Sequence, residues 1–161
     1  MPIELGSFSL GAIAGGIVIG IANHYLSKSR NKEEREITEF NKAAAIFRDV
    51  FLPETTYLKH HANIGGLGNS NRFHEMLRTA YLRQLKALEI FKDYLSVADR
   101  ESIYCAWDEY CHPKGVPTDE NEKRDFRFND YMSIEEREGT DKAKEVALQK
   151  IEEILRFAKH K

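Results

Sequence analysis

The chain begins with an apolar run free of charge and then changes to helical spacing. From Leu5 to Ser27 there is no Asp, Glu, Lys or Arg, which is about the length that crosses a hydrocarbon core of roughly 30 Å. A transmembrane helix is predicted over residues 1–27. Beyond it, Ile37, Phe40, Ala44, Phe47 and Phe51 recur at spacings of three and four, the mark of one buried helical stripe. Pro53 is expected to kink or end that helix, and "IGGLGNSN" at 64–71 to break the chain. Phe73, Leu77, Tyr81, Leu85, Leu88, Phe91 and Leu95 predict a second helix from Arg72 to Leu95. Asp99 in "SVADRES" is a candidate N-cap for a third, which carries Ile103, Ala106, Trp107 and Tyr110 and stops at "HPKG". Residues 113–132 are polar, contain two prolines and predict a long surface loop, the expected place for a protein partner. Ser133 and Glu136 match a capping box, and Ala143, Ala147, Ile151, Ile154 and Ala158 define a closing helix from Asp141 to Lys159. No stretch alternates as a strand does. The fold class is all-α: an N-terminal transmembrane helix, then a helical bundle of about four main helices over residues 28–161.

The charges beside the apolar run set its orientation. Lys28, Arg30, Lys32 and Arg35 follow it, whereas only Glu4 precedes it. A signal peptide would carry the positive charge first and an A-x-A-like cleavage site last, so the run reads as a single-pass anchor. The positive-inside bias then places the N-terminus outside and the C-terminal domain in the cytoplasm.

Small residues within the run point to assembly. Gly11/Gly15 and Gly16/Gly20 form two pairs at four-residue spacing, and Ala12 extends the second. The two faces lie about 140° apart at about 100° per residue. A dimer needs one such face, so two suit a closed ring of several copies in the lipid bilayer.

Composition narrows the rest. The chain has 161 residues, a net charge of -2 and 31% charged residues, so no basic excess points to direct nucleic-acid binding. Cys105 and Cys111 are six residues apart on one predicted helix, on different faces, which favours reduced thiols over a disulfide.

Candidate chemistry is sparse. The glycines at 64–71 follow no strand and precede no Gly-Lys-Ser/Thr, which excludes a phosphate loop of that class. His60, His61 and the His74-Glu75 pair lack the spacing of a zinc site, so no metal and no cofactor is expected. Cys105 and His112, seven apart, could share a face, although His112 abuts Pro113 at a helix end. A ribonuclease would need a converging Arg and His; Arg156/His160 and Arg78/His74 each share a helix face but read as solvated charges near helix ends. Tyr104, Trp107 and Tyr110 read as core and interface aromatics, with no basic stripe around them. The chain is not expected to be an enzyme.

The segments "AAAIFRDVFLPE", "LKALEIFKDYL", "IYCAWDEY" and "IEEILRFAKHK" resemble an uncharacterised family of small bacterial proteins, often associated with mobile elements, that join one membrane helix to a compact helical domain. Those matching positions are aromatic and apolar, so they carry packing and no chemistry. The layout also resembles the HEPN-like membrane accessory protein of type VI-B CRISPR systems, which forms an oligomeric pore in phage defence. That resemblance implies an inner-membrane location and activity through assembly. The HEPN pattern places four to six residues between Arg and His; only three separate Arg156 from His160. The resemblance therefore implies a degenerate nuclease pair at most.

Overall fold

A computed structural model describes the backbone of residues 8–60 and 72–160, with side chains described for 32–60 and 73–160. The chain divides into a unit through Phe40 and a second unit, Asn41–Lys161. Among the described residues every regular element is helical. The first, α1, is Phe8–His60. The expected transmembrane segment, residues 1–27, and its small-residue faces at Gly11, Ala12, Gly15, Gly16 and Gly20 lie outside the residues described with side chains. Among the described residues no helix is long and apolar enough to cross a membrane.

In the first unit, residues 32–39 are all exposed, Ile37 included at 36%. Ile37 was expected in the buried stripe, which instead starts at Phe40. This polar stretch is supported by its own pairs at four-residue spacing, Lys32 with Glu36 at 3.7 Å and Arg35 with Glu39 at 3.9 Å. Such exposed pairs each contribute about 0.3–0.5 kcal/mol.

The second unit holds the core. Along α1, Ala44, Phe47, Phe51 and Leu58 are buried, and Phe47 stacks on Phe91 with ring centroids 4.6 Å apart. Of the two outcomes expected at Pro53, a kink or an end, the end does not occur: α1 runs on to His60. Beyond the proline, Thr55 Oγ1 donates to the carbonyl oxygens of Phe51 and Leu52 at 3.1 and 3.0 Å.

Helix α2 is Arg72–Phe91, extended by a 3-10 turn over Lys92–Tyr94. Its buried positions are Phe73, His74, Leu77, Ala80, Gln84, Leu88 and Phe91, so the stripe is rotated slightly from the expected one: Tyr81 and Leu85 are only half-buried. Helix α3, Val97–Cys111, buries Ile103, Ala106, Trp107 and Tyr110 as its spacing predicts. Its N-cap is Ser96 and not Asp99. The Asp99 N–H donates to Ser96 Oγ at 3.1 Å while the Ser96 hydroxyl donates to Asp99 Oδ2 at 2.7 Å, a reciprocal cap of the Ser-x-x-acid kind.

The largest departure is the expected loop 113–132. It contains helix α4, Glu120–Asp125, capped by Asp119 through the N–H groups of Asn121 and Glu122. It also holds the first turn of α5, Asn129–Glu138. Ser133 therefore sits inside α5 and caps nothing; the N-cap residue is Phe128. Gly139, at φ +93°, makes the turn into α6, Thr140–Leu155, where an L side chain would be strained. Helix α6 buries Ala143, Ala147, Ile151 and Ile154, and a 3-10 turn, Arg156–Ala158, buries Ala158, all five as expected. It packs against α3 and α5, and α2 also meets α5. The bundle is made by apolar burial, at about 2–3 kcal/mol for each fully buried large side chain.

Candidate functional site

The segment once expected to be loop builds one wall of a concavity of about 260 Å³, lined by Arg78, Tyr81, Arg124, Asp125, Arg127 and Phe128. Helix α2 supplies Arg78 and Tyr81. The end of α4 and the turn after it supply the other four.

Phe128 fixes that turn. It is fully buried, at φ +62° and ψ 3°, and is the one positive-φ residue other than glycine among the described residues. Its N–H donates to the Cys111 carbonyl at 2.8 Å, and Asn129 closes the turn onto the Phe126 carbonyl at 3.0 Å. The ring packs edge-on to Tyr110 at 5.2 Å and parallel to Tyr131 at 6.3 Å. Burying this ring outweighs a left-handed backbone that costs a bulky residue roughly 1–2 kcal/mol.

The strained turn carries Arg127 over the face of Tyr81, with its guanidinium carbon 4.1 Å from the ring centroid. Trp107 flanks the same ring at 5.6 Å. Among the described residues no hydrogen-bond acceptor meets the Arg127 guanidinium, which is half-buried and held in place by the ring. Arg78 Nη2 donates to Asn129 Oδ1, and Arg124 Nε to Asp125 Oδ1 at 2.8 Å. Burial pushes the Tyr81 phenol above its ordinary value against the opposing pull of Arg127. The hydrogen bond from Arg124 holds the Asp125 carboxyl below its usual range. Three guanidinium groups and one carboxylate thus line one concavity, and an anion is what such an arrangement can hold.

The residues singled out from sequence fall elsewhere. Arg156 lies over its neighbour Phe157, 4.9 Å from the ring centroid, while His160 Nε2 lies 3.1 Å from Arg48 Nη2. Arg48 also donates to the Ala158 carbonyl. The partner of His160 is therefore a residue of α1. His74 and Arg78 do not form a solvated pair. His74 is buried, with Nε2 2.7 Å from Glu135 Oε2, and Thr140 Oγ1 holds the other carboxylate oxygen at 2.5 Å. Cys105 is exposed, whereas His112 is buried at the end of α3. His61 and the glycines at 64–71 lie outside the described residues. Among the described residues no three His, Cys, Asp or Glu side chains cluster as metal ligands.

A second polar group is structural in form. Glu54, next to Pro53 in sequence, is buried and accepts from Arg83 Nη2 at 2.6 Å and Gln84 Nε2 at 3.0 Å; the Tyr110 hydroxyl donates to Gln84 Oε1 at 3.1 Å. Each buried polar atom here has a partner, as burial demands. Comparison with known proteins finds no matching family model, no similar curated protein and no similar solved structure, so no family is assigned to the chain.

Proposed function

We propose that the chain is a membrane-tethered helical protein that self-associates through its N-terminal segment and presents the unit Asn41–Lys161 on the cytoplasmic side. The observation that carries this reading is the stretch 32–39 of α1, exposed throughout and stapled by its own Lys32–Glu36 and Arg35–Glu39 pairs. A helical stretch exposed on every side suits a solvated stalk. In sequence it lies between the charge-free run 5–27 and the buried positions of α1 that begin at Phe40 and Ala44. The basic residues at its start supply the orientation, and the small pairs Gly11/Gly15 and Gly16/Gly20 supply two packing faces. By its resemblance to the CRISPR accessory proteins, the assembly is a membrane pore in antiviral defence.

The test is fractionation of cells expressing the full chain, followed by sizing in detergent. Membrane retention after a carbonate wash, and particles of several copies that fall apart in Gly15→Leu and Gly20→Leu, are expected. Release by carbonate removes the anchor; a monomer in mild detergent removes self-association. The arginine-lined concavity favours a second reading, in which the anchor holds a binding domain at the membrane. In that reading Arg124→Ala weakens partner recovery and leaves oligomer size unchanged.

A further inference from the structure

We propose that the concavity between α2 and the α4–α5 turn is a binding site for a phosphate monoester. This goes beyond the membrane tether and does not depend on it. Its carrier is Arg127, a half-buried guanidinium fixed over Tyr81 with no acceptor among the described residues for its N–H donors. A guanidinium held by a ring has already lost its rotamer freedom, so less ordering cost remains when an oxyanion takes its fork. Arg78 and Arg124 line the same space, and each has donors beyond the single bond it makes to Asn129 or Asp125.

The charge count selects the ligand. Three guanidinium groups and one carboxylate leave two positive charges, which a monoester dianion balances. The concavity, at about 260 Å³, holds one phosphate group with a small organic substituent. On α4, next to Arg124 in sequence, Lys123 is already paired with Asp108 at 3.5 Å and Glu120 at 3.4 Å, so this cation is not left for an extended polyanion, which favours a single compact anion over nucleic acid. The strained Phe128 backbone fits the same picture, because left-handed residues other than glycine persist where the surrounding structure holds a needed side chain in place.

Phenyl phosphate and inorganic phosphate, titrated into the full chain in detergent and followed by calorimetry, test the site. Saturable binding is expected, weakened roughly tenfold or more in Arg127→Ala and in Arg124→Ala, with a smaller loss in Arg127→Lys, which keeps charge without the fork. Arg124 is exposed, so its variant reports binding without threatening the core. Asp125→Asn removes the opposing carboxylate and is expected to tighten binding, a gain that misfolding does not produce. Vesicles carrying a monoester headgroup separate a lipid source from a free one: binding to either supports the site. The proposal is overturned if neither phosphate probe nor such vesicles saturate, or if the three arginine variants bind as wild type does. It is also overturned if a short single-stranded RNA binds through these arginines while monoesters do not.

Discussion

The backbone N–H of Phe128 reaches the carbonyl oxygen of Cys111 across 2.8 Å while Phe128 itself holds φ at +62°. The end of α3 is thereby stitched to the start of α5, and the ring fills the space between Tyr110 and Tyr131. Replacing the ring costs about 3–5 kcal/mol. The backbone then decides between two small residues. Glycine occupies the left-handed region freely and alanine does not, so Phe128→Gly is expected to be more stable than Phe128→Ala by about 1 kcal/mol, the reverse of the order inside a helix. Urea unfolding of the two variants measures this; alanine equal to or above glycine would mean the turn relaxes out of the left-handed region.

Glu54 is 3% exposed and bridges α1 to α2 through Arg83 and Gln84. Arg83 is half exposed and can regain water when its partner is lost; the Gln84 amide is fully buried and cannot. Glu54→Ala is therefore expected to cost about 3 kcal/mol, most of it from the orphaned Gln84 and the cavity. Adding Gln84→Leu to that variant is expected to recover part of the loss, since one stranded polar group is removed. A double variant less stable than the sum of the two single changes would sink this account.

What the sequence conveys about this fold depends on whether apolar spacing and burial coincide. Along α6 they do, and Ala143, Ala147, Ile151, Ile154 and Ala158 all face the core. Along α2 the stripe passes through Gln84, a polar residue buried because Glu54 and Tyr110 satisfy it, and periodicity alone gives no hint of a partner 30 residues away. The segment 113–132 misleads for a different reason. Its apolar residues are few and its prolines suggest a loop, but Phe128 is anchored by a backbone bond to Cys111 that only the fold creates. The groove is hidden for the same cause: Arg78 and Arg127 are far apart in sequence and meet through that turn. Ser96 was available as a cap in plain view, three residues before Asp99, and the reciprocal pair uses both.

The two thiols differ in environment, and their chemistry is expected to differ with it. Cys105 is exposed and Cys111 is buried, with burial, aided by Asp108 and opposed by Arg127, pushing the Cys111 thiol up to about 12. A water-borne disulfide reagent is expected to label Cys105 in the folded chain and Cys111 only on unfolding. The raised value also sets a sign. The unfolded thiol ionises near 9, the folded one does not, so stability is full below pH 9 and declines as pH rises towards 12. Tyr110 and Tyr131, also raised by burial, add to the decline only above about pH 10. Unfolding of wild type and Cys111→Ala between pH 9 and 10 isolates the thiol; parallel curves would show that Cys111 is not held protonated by the fold.

His112 gives the opposite dependence. It is 4% exposed at the end of α3, and burial lowers its pKa below 6.5 against the pull of Asp130, a hydrogen bond with the Lys123 backbone, and Asp108; Arg127 adds to the lowering. The fold therefore prefers the neutral ring. Above pH 6.5 both states are neutral and the ring adds no pH dependence. As pH falls below 6.5 the unfolded chain takes up the proton first, and stability is lost until pH passes the folded value. The slope from this one group cannot exceed about 1.4 kcal/mol per pH unit. The comparison is between wild type and His112→Asn at each pH, so that contributions shared by both chains cancel. The variant is expected to lose less stability between pH 6.5 and 5. Equal slopes would show that His112 accepts its proton in the folded chain as readily as in water. A steeper slope in the variant would mean that Asp130 and Asp108 outweigh burial, and the sign assigned to this ring would be reversed.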